Sequence, residues 1–166
     1  MAHLSLRPFG PKDSDQVLQW YEKDRRGIEL LAGVSLPDKI ACILTFNKIL
    51  QAQLQRAALL RMIDREARPI GLMTITDISP ACDEGMPHFY IAPSERRHSI
   101  AAAKMAEAFA ARLGFRRLVG SVQADNRRAL GLAKRMGYLA SPRVILLKEL
   151  DTWVDGKYPL QQELGP

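Results

Sequence analysis

His88-Phe-Tyr-Ile-Ala-Pro-Ser-Glu-Arg-Arg-His-Ser-Ile-Ala-Ala-Ala-Lys-Met-Ala-Glu-Ala-Phe-Ala-Ala-Arg112 is the stretch on which the fold turns. Met86 to Ala92 has strand character and stops at Pro93. A basic turn follows, with Arg96, Arg97 and His98, and then an alanine-rich helix from Ile100 to Leu113 that Gly114 closes. A helix that starts straight after a strand leaves its first N–H groups unpaired, and its dipole favours an anion in front of them. Two readings fit these residues: a phosphate-binding turn, or a helix start with a solvated basic face.

Working outward, Phe115 to Gln123 reads as the next strand, so Met86 to Gln123 is a strand–helix–strand unit. Such a unit implies one parallel pair. Upstream, His3 to Pro8 is a strand, and Asp13 with Gln16 resembles a capping box opening an amphipathic helix that ends near Gly27. Ser35, with Pro37 in the first turn, is expected to cap a second helix carrying Ile40, Ile43, Leu44 and Leu50. Glu29, Leu30 and Leu31 fall in the connector. Gln55 to Arg65 and Ile70 to Ile78 read as an antiparallel hairpin. Downstream, Asp125 or Asn126 caps a helix from Arg127 to Met136, ended by Gly137. Tyr138 to Leu150 is a further strand, and Val154-Asp155-Gly156-Lys157 a hairpin turn leading to an edge strand that contains Pro159. The expected fold is α/β of the α+β type: one domain over residues 1–166, with about seven strands in a mixed, mostly antiparallel sheet and four helices.

A chain of 166 residues with 47% hydrophobic and 25% charged content can bury a core. Its net charge of +6 favours acidic ligands. The excess is local, because Arg96 to Arg135 holds ten Lys or Arg against only Glu107 and Asp125. Cys42 and Cys82 are far apart without metal-ligand spacing, so no metal site or disulfide framework is expected and a reducing cytoplasm is the simplest setting. The N-terminus lacks a secretory pattern, and no apolar run reaches membrane-spanning length. No Walker-type phosphate loop occurs.

Three segments resemble the GNAT N-acetyltransferase superfamily. Arg96-Arg97-His98-Ser99-Ile100-Ala101 is similar to its acyl-coenzyme A loop, Gln/Arg-x-x-Gly-x-Gly/Ala, with Ser99 in place of a glycine and Arg97 where many members have another. Asn126-Arg127-Arg128-Ala129 continuing to Gly137-Tyr138 is similar to the helix after the family's fifth strand. Leu6-Arg7-Pro8 followed by Asp13 suits the branch resembling ribosomal-protein N-terminal acetyltransferases.

The resemblance implies acetyl transfer from acetyl-CoA to an amine by direct attack in a ternary complex. It also implies that the two parallel strands splay around the cofactor's pantetheine arm. Tyr90, Ile91 and Ala92 would bond that arm, Arg96, Arg97, His98, Ser99, Ile100, Ala101 and Ala102 would meet the pyrophosphate, and Asn126 would touch the arm or serve as a plain helix cap. The family often places a tyrosine acid where this chain has Ala133. His88, Glu84 and Asp77 are the candidate bases, with His88 and Glu84 preferred. Tyr21, Glu29, Leu30 and Leu31 are expected on the acceptor wall. The acceptor would be an amine-bearing small molecule, peptide or protein. The other readings are a coenzyme A-binding module without efficient turnover, and a nucleic-acid-associated protein that uses the basic face. No membrane partner is expected; the Asp155-Gly156 hairpin offers a homodimer edge.

Overall fold

The computed structural model describes residues 3–81, 83–122, 126–140 and 145–149. Their elements run β1 (Leu4–Pro8), α1 (Asp13–Lys23), α2 (Arg25–Ala32), α3 (Lys39–Leu54), β2 (Leu59–Arg65), β3 (Arg68–Thr76) and β4 (Glu84–Ile91). A 3-10 turn (Pro93–His98) then leads to α4 (Ser99–Arg112), β5 (Arg117–Ser121), α5 (Arg127–Arg135), β6 (Leu139–Ala140) and β7 (Ile145–Glu149). The seven strands form one sheet in the order β1-β2-β3-β4-β5-β7-β6. Only β4 and β5 pair in parallel. The mixed, mostly antiparallel sheet with one parallel pair is the one the sequence implies.

Side-chain alternation sorts the core onto the two faces of the sheet. On one face Leu60, Met62, Leu72 and Tyr90 pack against Val17, Trp20, Ile28 and Phe46 from α1, α2 and α3. On the other, Leu59, Ile63, Met73 and Ile75 pack against Ala102, Ala106 and Ala110, one helical stripe of α4. Alanine along that stripe lets the α4 backbone lie close to the strands.

The helices number five rather than four, because Arg25–Ala32 is a helix of its own. Glu29, Leu30 and Leu31 therefore stand on α2, not in a connector. Asp24 caps α2 by accepting the Gly27 N–H at 3.2 Å. Gly27 looks like a helix end in the sequence, but its role is steric: a Cβ there would stand 2.5 Å from Asp24 Oδ2 and 2.7 Å from the Tyr90 ring. The cap of α3 is Asp38, whose carboxylate accepts the Ala41 N–H at 2.7 Å, and not Ser35. The Tyr138 to Leu150 run divides into β6 and β7, which pair antiparallel. Cys82, the Asp155-Gly156 turn and Pro159 lie outside the described residues.

The parallel pair is short, holding only at Glu84↔Arg117 and Gly85↔Leu118. The absence of a side chain at Gly85 permits this closeness, since a Cβ would stand 2.5 Å from Ile75 Cγ2 and 3.0 Å from the Phe115 ring. Beyond it the strands part. The Ala92 N–H donates to the Ile70 C=O at 2.9 Å, so every second residue back along β4 also faces β3. Gly85, Pro87, Phe89 and Ile91 then direct their main-chain groups toward β5. At the next residue after Gly85 that faces β5, Pro87 has no N–H to donate, and the ladder stops.

Asp13 is not a helix cap. Its carboxylate takes Arg7 Nη1 at 2.7 Å and Nη2 at 2.8 Å, and the Gly10 N–H at 2.6 Å. Arg7 Nε also bonds Asp64 at 2.7 Å, so one half-exposed guanidinium ties β1 to α1 and β2. The Arg7 hydrogen bonds hold the Asp13 carboxyl below its ordinary value of 3.8. The pair therefore contributes stability above that pH and loses it as pH falls through the lower folded value. Arg7→Ala should cost about 2 kcal/mol by urea unfolding at pH 7, discounted for the exposure of the arginine. The difference from wild type should shrink below about pH 3.

Candidate active site

The gap between β4 and β5 opens a cleft that passes through the sheet. One cavity, of about 630 Å³, is walled by Glu29 and Leu30 of α2, Met86 to Phe89 of β4, Gly120 and Ser121 of β5, and Ala103, Glu107, Leu132 and Ala133 of α4 and α5. A second, of about 600 Å³, adjoins it and shares Arg26, Leu30, Phe89, Ala103, Asn126, Ala129 and Leu132. Residues from α2 lie on one face of the sheet and residues from α4 and α5 on the other.

The second cavity is basic. Arg26, Arg96, Arg97, Arg128 and Arg135 line it, with Ser99, Ile100 and Ala102 at the start of α4. Within the turn before α4, the Ser99 groups are bonded internally. Pro93–His98 runs into α4 as a 3-10 turn, the Ser99 N–H bonds the Arg96 C=O, and the Ser99 hydroxyl donates to the same oxygen at 2.7 Å. With Arg97 and Ser99 where the family has glycines, the chain takes ordinary right-handed angles, and Ser99 has φ −56 and ψ −41. Arg96 meets the Asp24 carboxylate at 2.9 Å. His98 turns away, toward buried Glu95 at 3.6 Å and Arg65 at 3.2 Å. Ala101 and Ala92 line neither cavity, and the Ala92 N–H is engaged by β3.

Of the expected strand contacts, Ile91 presents its main-chain groups to the gap, as does Phe89, which was not expected there; Tyr90 directs its main chain to β3 but lines the second cavity. Tyr90 belongs to the core against Trp20, with ring centroids 5.5 Å apart. Burial and the Asp24 carboxylate push its phenol above the ordinary range. Asn126 caps α5 through the Ala129 N–H at 3.1 Å and also lines both cavities.

At the acceptor end, Glu29 and Leu30 line the cleft. The Glu29 carboxylate accepts the Leu36 N–H at 3.0 Å and Arg25 Nε at 3.1 Å. Tyr21 and Leu31 are core residues, and the Tyr21 hydroxyl donates to the Leu36 C=O at 2.7 Å. His88 lines the cavity, with Nε2 3.2 Å from Thr76 Oγ1. Burial lowers its pKa below 6.5, opposed by the Asp77 charge. Glu84 pairs with Arg117 at 3.1 Å, outside both cavities.

Glu107 and Tyr138 line the first cavity without having been expected there. Burial and the Glu107 carboxylate push the Tyr138 phenol well above its ordinary range. Arg128, Leu132 and Arg135 sit at i, i+4 and i+7 on α5, a spacing that marks one face in the sequence itself. Among the described residues no three His, Cys, Asp or Glu stand together as a metal site, and no helix is long and apolar enough to cross a membrane.

A guanidinium-lined cavity fits the phosphates of a nucleotide cofactor, and the open edge of β4 fits its amide-bearing arm. Fold and cleft together define an acyl-CoA-dependent transferase. The sequence profile of the acetyltransferase (GNAT) domain matches residues 3–139. The chain belongs to the GNAT acetyltransferase family, whose members take acetyl-CoA as acyl donor and an amine as acceptor.

Among solved structures, it is similar to spermidine N-acetyltransferase from Vibrio cholerae, solved with CoA and spermine. That match is 14% identical, covers 89% of this chain and 95% of that one, and has a TM-score of 0.72. The acetyltransferase from Salmonella typhimurium that modifies the N-terminal serine of ribosomal protein L7/L12 is 16% identical, with 89% and 95% covered and a TM-score of 0.68. Mycobacterium smegmatis RimJ, solved with a CoA disulfide, is 15% identical, with 87% and 79% covered and a TM-score of 0.71. At these identities the likeness shows the fold. No curated protein sequence matches the chain.

Arg128→Gln should weaken coenzyme A binding roughly three- to tenfold by calorimetry, with the loss shrinking as salt is raised.

Proposed function

We propose that the chain acetylates a primary amine at the end of a slender arm, a polyamine or a peptide N-terminus, that enters from the α2 side. The observation that carries this reading is the cleft through the sheet. It joins an arginine-lined cavity, walled by α2, α4 and α5, to a cavity holding His88 on the β4 edge. Acetyl-CoA supplies the activated acyl group when bound. Arg96, Arg97, Arg128 and Arg135 would hold its phosphates, and the main-chain groups of Phe89 and Ile91 its arm.

The acceptor arrives mainly as an ammonium and must lose a proton before or during attack. A buried imidazole with a lowered pKa is neutral near pH 7 and suited to take it. Glu29 and Glu107 give the acceptor cavity carboxylates that favour a cationic arm, and the Vibrio cholerae and Salmonella typhimurium enzymes act on amines of both proposed kinds. Glu84, paired with Arg117, takes no part in this reading.

A thiol-release assay over a panel of polyamines and peptides tests it. Acceptor-dependent thiol should appear with at least one of the two classes. Tight coenzyme A binding without any such release would mark a cofactor-binding module instead. His88→Gln should lower kcat by about a hundredfold with the acetyl-CoA KM unchanged. For wild type, kcat/KM should fall as pH drops through a value below 6.5, because protonation removes the base.

A further inference from the structure

Thr76, at the end of β3, stands between His88 and Asp77. Its Oγ1 lies 3.2 Å from His88 Nε2 and 3.1 Å from Asp77 Oδ2. A hydroxyl has a single hydrogen, and a carboxylate oxygen can only accept. The Thr76 hydrogen is therefore directed to Asp77, and toward His88 the same oxygen can only accept. His88 Nε2 must then carry the hydrogen, which leaves Nδ1 as the basic nitrogen.

Asp77 is held where it is at a cost. Its φ of 50° lies in the left-handed region, which for a residue other than glycine costs on the order of 1 kcal/mol. Asp77 is exposed. The turn closes behind it, where the Ser79 N–H bonds the Glu84 C=O at 2.9 Å. This conformation carries the Asp77 carboxylate to the Thr76 hydroxyl, which is itself bonded to the cleft histidine.

We infer that Thr76 and Asp77 are positioning residues: they hold His88 as the Nε2–H tautomer and leave Nδ1 to receive the proton of the acceptor amine. This rests on the reading of His88 as the base. As the nitrogen–carbon bond forms and the thioester carbon–sulfur bond breaks, the proton shed by nitrogen moves to Nδ1, the imidazole becomes an imidazolium, and the electron pair of the broken bond leaves on the thiolate, which takes a proton from solvent. Nε2–H keeps its bond to Thr76 Oγ1, Thr76 keeps its hydrogen on Asp77, and no proton passes to the carboxylate. The cation is stabilised by the negative charge beyond Thr76, and Nδ1 returns its proton to solvent when product leaves. The other ionisable groups on the cavity wall are Arg26 and Glu29 from α2, Glu107 from α4, and Tyr138; Asp77 is the charge that acts on the imidazole.

The test combines ¹⁵N spectra of the imidazole with kinetics in Thr76→Val, Asp77→Asn and Asp77→Gly. Wild type should show Nε2 protonated and Nδ1 bare. Thr76→Val, equal in shape, should give a mixture of tautomers and a roughly tenfold lower kcat with the acetyl-CoA KM unchanged. Asp77→Asn keeps an acceptor for Thr76 but removes the charge, so the tautomer should persist while the His88 titration and the acidic limb of kcat/KM both move down by a few tenths of a pH unit, roughly. Asp77→Gly relieves the backbone, so it should raise the melting temperature while lowering kcat; a merely structural Asp77 would not separate the two. An Nδ1–H tautomer in wild type, or Thr76→Val with unchanged spectrum and rate, overturns the proposal. Full activity in His88→Gln would instead sink the assignment of His88 as base, whatever the spectra show.

Discussion

The early end of the ladder between β4 and β5 is the constraint on which the rest depends. Two parallel strands normally continue to pair, because each unpaired N–H or C=O left in a sheet interior costs free energy. Here the pairing stops after Gly85↔Leu118, at the point where Pro87 has no hydrogen to give. The groups of Phe89 and Ile91 remain directed into the gap, and the two faces of the sheet communicate through it. A cofactor arm that bonds those groups completes the sheet. The binding site is thus an unfinished piece of secondary structure.

On the cofactor side the chain handles anions in its own way. A glycine-rich turn offers amide N–H groups at close range, and its strength lies in backbone geometry. With Arg97 and Ser99 in this segment the turn is a 3-10 helix, and the Ser99 N–H and hydroxyl both bond the Arg96 C=O. The arginines of the turn and of α5 supply the positive charge instead. Side chains pay more entropy than a preformed loop to hold a phosphate, so part of the affinity must come from the number of guanidinium groups that converge.

His98 shows how a shared motif can conceal different wiring. It lies within the segment that resembles the cofactor loop, yet it faces Glu95, Arg65 and Arg97 away from the cavities. Glu95 also binds Arg65 and Arg68 at 2.7 and 3.1 Å, so this cluster anchors the turn to the β2–β3 hairpin. The Arg7 interactions with Asp13 and Asp64 similarly fasten the other edge of the sheet.

What the sequence determined by itself is the part governed by local rules. Alternation, helical spacing and proline and glycine stops placed most strands, the α4 and α5 helices and the mixed sheet, and motif order pointed to an acyl-CoA site. It divided 24–38 wrongly, because Gly27 looks like a terminator when its close contacts with Asp24 and Tyr90 are unseen. Which side of a strand a residue's main chain addresses, and so why Phe89 and Ile91 face the gap, depends on register with β3. Only the tertiary structure decided that Tyr21 and Leu31 are core, that Glu107 and Tyr138 reach the cleft from other elements, and that Thr76 bridges Asp77 to His88. Those relations join residues through space, and periodicity along a single chain carries no record of which atoms meet across it.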